Sequence, residues 1–199
     1  MKLYLNDASP YARLIRVIVL ETGLDSETEL VFVDPWASPK ELLAVNPASK
    51  VPALALPDGS CLIESSCIAD YLIVRGGRFD LSSFRSGSEP SIRLELLGLA
   101  RAAIDSAFGS VIQGRYAKDS PLIERWRANL PRIARRIEVI SSNDVRRIDI
   151  DLADLTVATA FEYVDFRLPE INWRNEAPAL AERVARLGDR ASFRATRPK

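Results

Sequence analysis

The chain has 199 residues, of which 47% are hydrophobic and 27% charged, and its 27 basic side chains balance its 27 acidic ones. A net charge of zero argues against capture by nucleic acid or by an anionic membrane surface, so neither is expected as a partner. Charged residues interrupt the apolar stretches and the first residues lack the apolar run of a secretion signal, so we expect a cytoplasmic protein.

The first 76 residues predict alternating strands and helices. Ser9 and Pro10 have the residue types of a helix N-cap and first helical position, and residues 57–60 (PDGS) form a strong hairpin signal. In chain order we predict a strand at 2–5, a helix at 11–22, a strand at 29–33, a short helix at 39–43, strands at 53–56 and 61–63, and a helix at 65–74. This order indicates a thioredoxin-like α/β domain over residues 1–76.

The character of the sequence changes after position 76. Residues 77–89 are rich in Gly and Ser and show no periodicity, so we interpret them as a linker. Asp151 and Asp154 have the spacing of a capping box. Residues 90–199 are predicted to form an all-helical domain, with helices at 90–113, 121–140, 152–168 and 177–187 and a frayed tail.

Composition limits the chemistry that the chain can carry. Histidine is absent, and Cys61 and Cys67 are the two cysteines. A site that needs imidazole is therefore excluded, and two cysteines alone make a poor zinc site, so no metal is expected. We expect both cysteines to be buried small side chains rather than reactive thiols. Hydroxyls, carboxylates, cations, backbone groups or a bound cofactor must supply the chemistry.

Ser9 lies between the first predicted strand and the first predicted helix. Its ordinary role there is to cap the helix. The alternative is that its hydroxyl donates a hydrogen bond to a thiolate bound at the helix start, where free N–H groups favour negative charge. Because no histidine can take its proton, Ser9 itself is a poor candidate for a nucleophile.

Two further segments allow both a structural and a functional interpretation. Pro52 can mark a strand edge, or a cis bond before it can turn the Val51 backbone to hold an extended peptide. Glu64 and Ser65 can cap the following helix, or they can bind the ammonium and carboxylate of an amino-acid end. Each local pattern leaves both interpretations open.

Taken together, these segments resemble a known family. SPYARLIRVIVLETGL, NPASKVPALALPDGS and LIESSCIADYL occur in the order and spacing of the amino-terminal domain of cytosolic glutathione transferases, of the serine-type, bacterial-like kind. DIDLADLTVATAFEYV and PALAERVARLGDRASFRAT resemble helices of the second domain of that family. The resemblance covers nearly the whole chain and implies the glutathione transferase fold, a thioredoxin-like domain followed by an all-helical one.

The resemblance also implies roles for individual residues. Ser9 falls where serine-type members place the hydroxyl that steadies the glutathione thiolate. The implied glutathione-binding residues are Lys50 near the glycyl carboxylate, Val51 and a cis Pro52 as the backbone clamp, and Glu64 and Ser65 at the γ-glutamyl end. The sequence departs from the family at 141–152, where an expected glycine is missing, and serine at position 9 argues against thiol–disulfide chemistry.

The function implied by the resemblance is conjugation of the glutathione thiolate to a small, hydrophobic electrophile, as in detoxification. We expect residues 102–116 to line the pocket for that second substrate. A glutathione-dependent isomerase or dehalogenase on the same fold, and a non-catalytic binding or regulatory protein, are the alternatives. Glutathione is the expected co-substrate, and a homodimer is expected from the resemblance alone.

Overall fold

The computed structural model describes residues 1–83, 90–143 and 150–198. Two compact units divide the chain, Met1–Phe79 with Ala191–Lys199 and Asp80–Arg190. The predicted linker (77–89) includes residues 84–89 and the atypical loop (141–152) includes residues 144–149, and these two stretches lie outside the described residues. Within the described ranges, no helix is long and apolar enough to cross a membrane.

A four-stranded mixed sheet forms the centre of the first unit. Its strands are β1 (Lys2–Leu5), β2 (Glu29–Phe32), β3 (Ala53–Ala55) and β4 (Cys61–Ile63), arranged in the order β2-β1-β3-β4. β1 runs parallel to β2 and antiparallel to β3, and β3 is antiparallel to β4. The parallel pair requires the long crossover that the first helix supplies, whereas the short turn at 57–60 suffices for the hairpin.

Three helices accompany the sheet in the first 75 residues, namely α1 (Pro10–Glu21), α2 (Lys40–Val45) and α3 (Ser65–Arg75). α1 and α3 pack against each other. Leu42 of α2 lies in a separate cluster with Val33 and Ala53. This arrangement confirms the predicted thioredoxin-like fold.

The second unit is helical in its described parts. It contains α4 (Pro90–Tyr116), α5 (Pro121–Asn143), α6 (Leu152–Arg167), α7 (Trp173–Glu176) and α8 (Pro178–Gly188). α6 is the central helix, because it packs against α4 and α8 and is buried on all sides over most of its length. A helix that is apolar around its whole circumference belongs in such a position. Its buried Thr156 and Thr159 donate their hydroxyl protons to the carbonyls of Leu152 and Leu155, so neither hydroxyl is left unsatisfied.

The predicted capping box at the start of α6 is confirmed. The Asp151 carboxylate accepts the N–H groups of Ala153 and Asp154 at 2.9 and 3.2 Å, and the Asp154 carboxylate accepts the Asp151 N–H at 3.1 Å. These bonds satisfy N–H groups that have no partner inside the helix.

The predicted frayed tail is wrong. Residues Ala191–Ala195 form a last helix, α9, which returns to the first unit and packs against α1. Phe193 is fully buried and Thr196 nearly so. The tail carries too few residues for a clear helical period, and its order depends on burial against a helix that lies almost the whole chain away.

Candidate functional site

Ser9 is the N-cap of α1. Its φ and ψ of −86° and 120° are extended, and its Oγ accepts the Ala12 N–H at 3.2 Å, with Pro10 in the first helical turn. The residue is 8% exposed. A hydroxyl has two lone pairs and one proton, so the capping bond uses only acceptor capacity. The capping role and the donation of a hydrogen bond to a thiolate are therefore compatible.

The Val51–Pro52 peptide bond is cis, as the resemblance implies. Pro52 is buried, Val51 is half-buried against the cluster of Val33 and Leu42, and Lys50 is exposed. The charged side chain of Lys50 therefore lies at the surface, next to a backbone that packs on this cluster through Val51.

Asn46 fixes the loop that leads into the cis bond. Its side chain is 3% exposed, its Nδ2 donates to the Lys50 carbonyl at 2.9 Å, and its Oδ1 accepts the Ala48 N–H at 3.0 Å. A buried amide with both ends satisfied orders the loop. In the sequence, the position of Asn46 directly before Pro47 was the one indication of an ordered turn here.

Glu64 has an unusual backbone conformation. Its φ is +67° and its ψ 124°, at the N-cap position of α3, and its side chain makes no capping bond. For a residue with a Cβ such a conformation costs on the order of 1–3 kcal/mol. Ser65 follows as the first residue of α3 and is half-buried. Strain of this kind concentrates at functional sites, and no residue pattern around Glu64 predicts it.

The strand register brings the three candidate segments to one edge of the sheet. Tyr4 pairs with Ala53, and Ala53 pairs with Ile63. The end of β1 that leads to Ser9 is thus beside the start of β3, which follows Pro52, and the start of β3 is beside the end of β4, which precedes Glu64. The roles of the individual residues in binding stay predictions.

An open depression of about 420 Å³ lies at the ends of β1 and β2. Its rim carries two carboxylates and the half-exposed ring of Phe32. The Asp7 carboxylate pairs with Arg16 at 3.0 Å, and Asp34 accepts the Trp36 N–H at 3.0 Å. No motif in the sequence indicated this depression, which is lined by Asn6, Asp7, Ala8, Phe32, Val33 and Asp34.

The prediction that both cysteines are buried is wrong, because Cys61 and Cys67 are both exposed. The buried face of α3 begins with Ile68 and Ala69, which leaves Cys67 on another face. Cys61 lies on β4, an edge strand with β3 as its neighbour. Among the described residues, no three His, Cys, Asp or Glu side chains meet in a group that could hold a metal ion.

Comparisons of the sequence and of the structure with known proteins both find similarity to glutathione transferases. The model of the glutathione S-transferase N-terminal domain matches residues 8–73. The uncharacterized GST-like protein YibF of Escherichia coli strain K12 is 26% identical over 215 residues, which cover 100% of this chain and 98% of that protein.

Solved structures of two proteins resemble the chain over its whole length. A glutathione transferase family member from Pseudomonas fluorescens Pf-5, with bound glutathione, is 31% identical, with a TM-score of 0.85 and coverage of 100% of this chain and 98% of the other. That family member is also known with bound S-(propanoic acid)-glutathione. A glutathione S-transferase from Methylobacillus flagellatus KT, with GSH bound, is 29% identical, with a TM-score of 0.85 and coverage of 100% and 99%.

Proposed function

Because this chain belongs to the glutathione transferase family, we propose that it joins the thiolate of glutathione to a small, hydrophobic electrophile. Ser9 is the proposed catalytic residue. The proposed glutathione-binding residues are Lys50, Val51, Pro52, Glu64 and Ser65. The observation that carries the proposal is the strand register, which brings Ser9 and these two segments to one edge of the sheet.

Each segment offers groups that match one part of the tripeptide. The Glu64 carboxylate accepts from the γ-glutamyl ammonium, and the Ser65 hydroxyl with the first N–H groups of α3 donates to its carboxylate. The Val51 backbone pairs with the central residue as an added strand does. The exposed ammonium of Lys50 attracts the glycyl carboxylate.

Ser9 stabilises the sulfur as an anion. A free thiol has a pKa of about 8.5, so little of it is ionised at neutral pH. Lowering that pKa by about two units requires about 2.7 kcal/mol of preference for the thiolate. A hydroxyl hydrogen bond and a helix N-terminus each contribute about 1–2 kcal/mol in favourable settings, so the two together are sufficient.

The reaction is a nucleophilic substitution at carbon, and the thiol proton passes to solvent when the thiolate forms. The thiolate sulfur uses a lone pair to form the new S–C bond; with an aryl halide, the halide leaves with the electrons of the broken bond. Ser9 donates its hydrogen bond before the attack and forms no covalent bond. The Pseudomonas fluorescens relative with bound S-(propanoic acid)-glutathione supports this scheme, because that ligand carries a substituent on the sulfur.

Titration calorimetry with glutathione, followed by an assay with 1-chloro-2,4-dinitrobenzene, tests the proposal. Binding together with enzyme-dependent conjugation is the expected result. Binding without conjugation of this and other aryl halides would favour a non-catalytic protein or a glutathione-dependent isomerase or dehalogenase. Absence of binding would contradict the proposed site. The proposed homodimer is tested separately, by the mass of the protein in solution.

A further inference from the structure

The end of the chain contacts α1 one turn after Ser9. Arg13 is 3% exposed, and its Nε donates to the Thr196 carbonyl at 2.9 Å. Its guanidinium carbon lies 5.5 Å from the centre of the Phe193 ring, within the range of a cation–π contact. Arg13 is thus held by two residues that are themselves buried.

A second contact restrains the other end of α1. The hydroxyl of Ser192 donates to Glu21 Oε1 at 2.5 Å, and Glu21 is the last residue of the helix. Arg13 and Glu21 are about 12 Å apart along a helix axis. Because residues 192–196 hold α1 at two separated points, they restrain its rotation as well as its position.

The first turn of α1 transmits this restraint to Ser9. The Arg13 N–H donates to the Ser9 carbonyl at 3.0 Å, and the Ala12 N–H donates to Ser9 Oγ. Residues that are bonded in this way move with the turn. A hydrogen bond prefers a donor–hydrogen–acceptor angle above about 150° and weakens steeply below about 120°. The geometry of a bond from Ser9 to a thiolate therefore depends on where residues 12 and 13 are fixed.

We propose that Arg13 is a positioning residue, and that the C-terminal segment 192–196 sets the strength of thiol activation through it. The segment holds Arg13, Arg13 holds the first turn of α1, and that turn directs the Ser9 hydroxyl toward the glutathione sulfur. This inference rests on the proposed function of Ser9.

The test measures the pKa of the glutathione thiol bound to the full chain, from thiolate absorbance across a pH series. Arg13→Met removes the bond to Thr196 and is expected to raise that pKa by about half a unit, which lowers the thiolate-to-thiol ratio about threefold at a given pH. The affinity for glutathione, measured by calorimetry at a pH where the thiol is protonated, should change less than twofold. Arg13→Lys, which can donate to the same carbonyl, should raise the pKa of the bound thiol less than Arg13→Met does.

Arg16→Met is the matched control. It removes the same charge from the same helix, but the Arg16 guanidinium pairs with Asp7 at 3.0 Å rather than with the C-terminal segment. We expect it to leave the pKa of the bound thiol unchanged. An equal rise in both variants would mean that lost charge, not lost positioning, matters, and it would overturn the inference. So would an unchanged pKa in Arg13→Met.

Two further variants make every outcome decisive. If Arg13→Met does not fold, Ser192→Ala loses the bond to Glu21 and keeps every charge; it should raise the pKa in the same direction, and an unchanged value would overturn the inference. Ser9→Ala distinguishes failure of the positioning role of Arg13 from failure of the proposed role of Ser9. If it raises the pKa while the Arg13 variants do not, only the positioning role fails; if it has no effect, the proposed role of Ser9 fails first.

Discussion

The guanidinium of Arg93 and the carboxylate of Asp151 form a bidentate ion pair inside the second unit, and neither side chain is exposed to solvent. Nε lies 2.9 Å from Oδ2 and Nη2 lies 2.5 Å from Oδ1. Asp154 is 3.0 Å from the same Nη2 and also pairs with Arg183. Burial disfavours the Arg93 cation, but the hydrogen bond to Asp151 and the charges of Asp154 and Asp151 outweigh burial and raise its pKa.

Arg93→Met should destabilise the protein by about 3–5 kcal/mol, because it leaves two buried carboxylates without their shared cation. Urea unfolding followed by circular dichroism measures the change. Arg136→Met is the control, since Arg136 pairs with Glu95 at the surface, with side chains 55% and 41% exposed. That change should cost less than about 1 kcal/mol. Equal losses in the two variants would contradict the structural role of the buried pair.

Ser9→Ala should raise the pKa of the bound glutathione thiol by about one unit, because the thiolate loses a hydrogen bond worth about 1–2 kcal/mol. The absorbance of the thiolate across a pH series measures this pKa. Glutathione affinity at a pH where the thiol is protonated should stay nearly unchanged. Ser9→Thr keeps a hydroxyl and should stay close to the parent protein. If alanine and threonine behave alike, the hydroxyl is not the activating group.

Ser65→Ala should weaken glutathione binding by about tenfold or more, since the γ-glutamyl carboxylate loses a charge-assisted hydrogen bond of about 1.5–3 kcal/mol. Calorimetry provides the dissociation constant. Ser66→Ala is the matched control, because Ser66 is the next residue of α3 and is also half-buried. It should bind glutathione as the parent does. A comparable loss in Ser66→Ala would remove Ser65 from the site.

Asn46→Asp should weaken glutathione binding without abolishing the fold. The aspartate keeps an acceptor for the Ala48 N–H but loses the donor to the Lys50 carbonyl, next to Val51. The expected cost is about 1–3 kcal/mol of stability, because a buried carbonyl loses its partner and a charge replaces an amide. Thermal unfolding with and without glutathione measures both effects. Unchanged binding would show that this loop does not position the tripeptide.

Gly76→Ala should destabilise the first unit by about 1–3 kcal/mol through steric overlap. A Cβ at this position would lie 2.7 Å from the Thr22 Cβ and 2.9 Å from the Thr22 carbonyl oxygen. Gly98→Ala is the opposite case, since a Cβ there meets nothing within 4 Å and the residue lies inside α4. It should stabilise the protein by up to about 1 kcal/mol. Urea unfolding of the two variants should therefore give changes of opposite sign.

Local chemistry explains how much of the fold could be predicted. Ser9 and Pro10 start α1 and Gly23 ends it with a φ of +69°, because cap and turn residues act over three or four positions. The capping box of Asp151 and Asp154 depends on the same short range. The short helix Trp173–Glu176 was missed because four residues carry no measurable period.

The sequence by itself determined the order of strands and helices, the thioredoxin-like first domain and the family, because caps, turns and apolar periods are local and occur here in the family's order. Only the tertiary structure decided that Arg93 meets Asp151, 58 residues away, that the last helix packs on α1, and that the two cysteines are exposed. Burial and ion pairing depend on which distant residues come into contact, and no pattern within a few positions of the chain specifies those contacts.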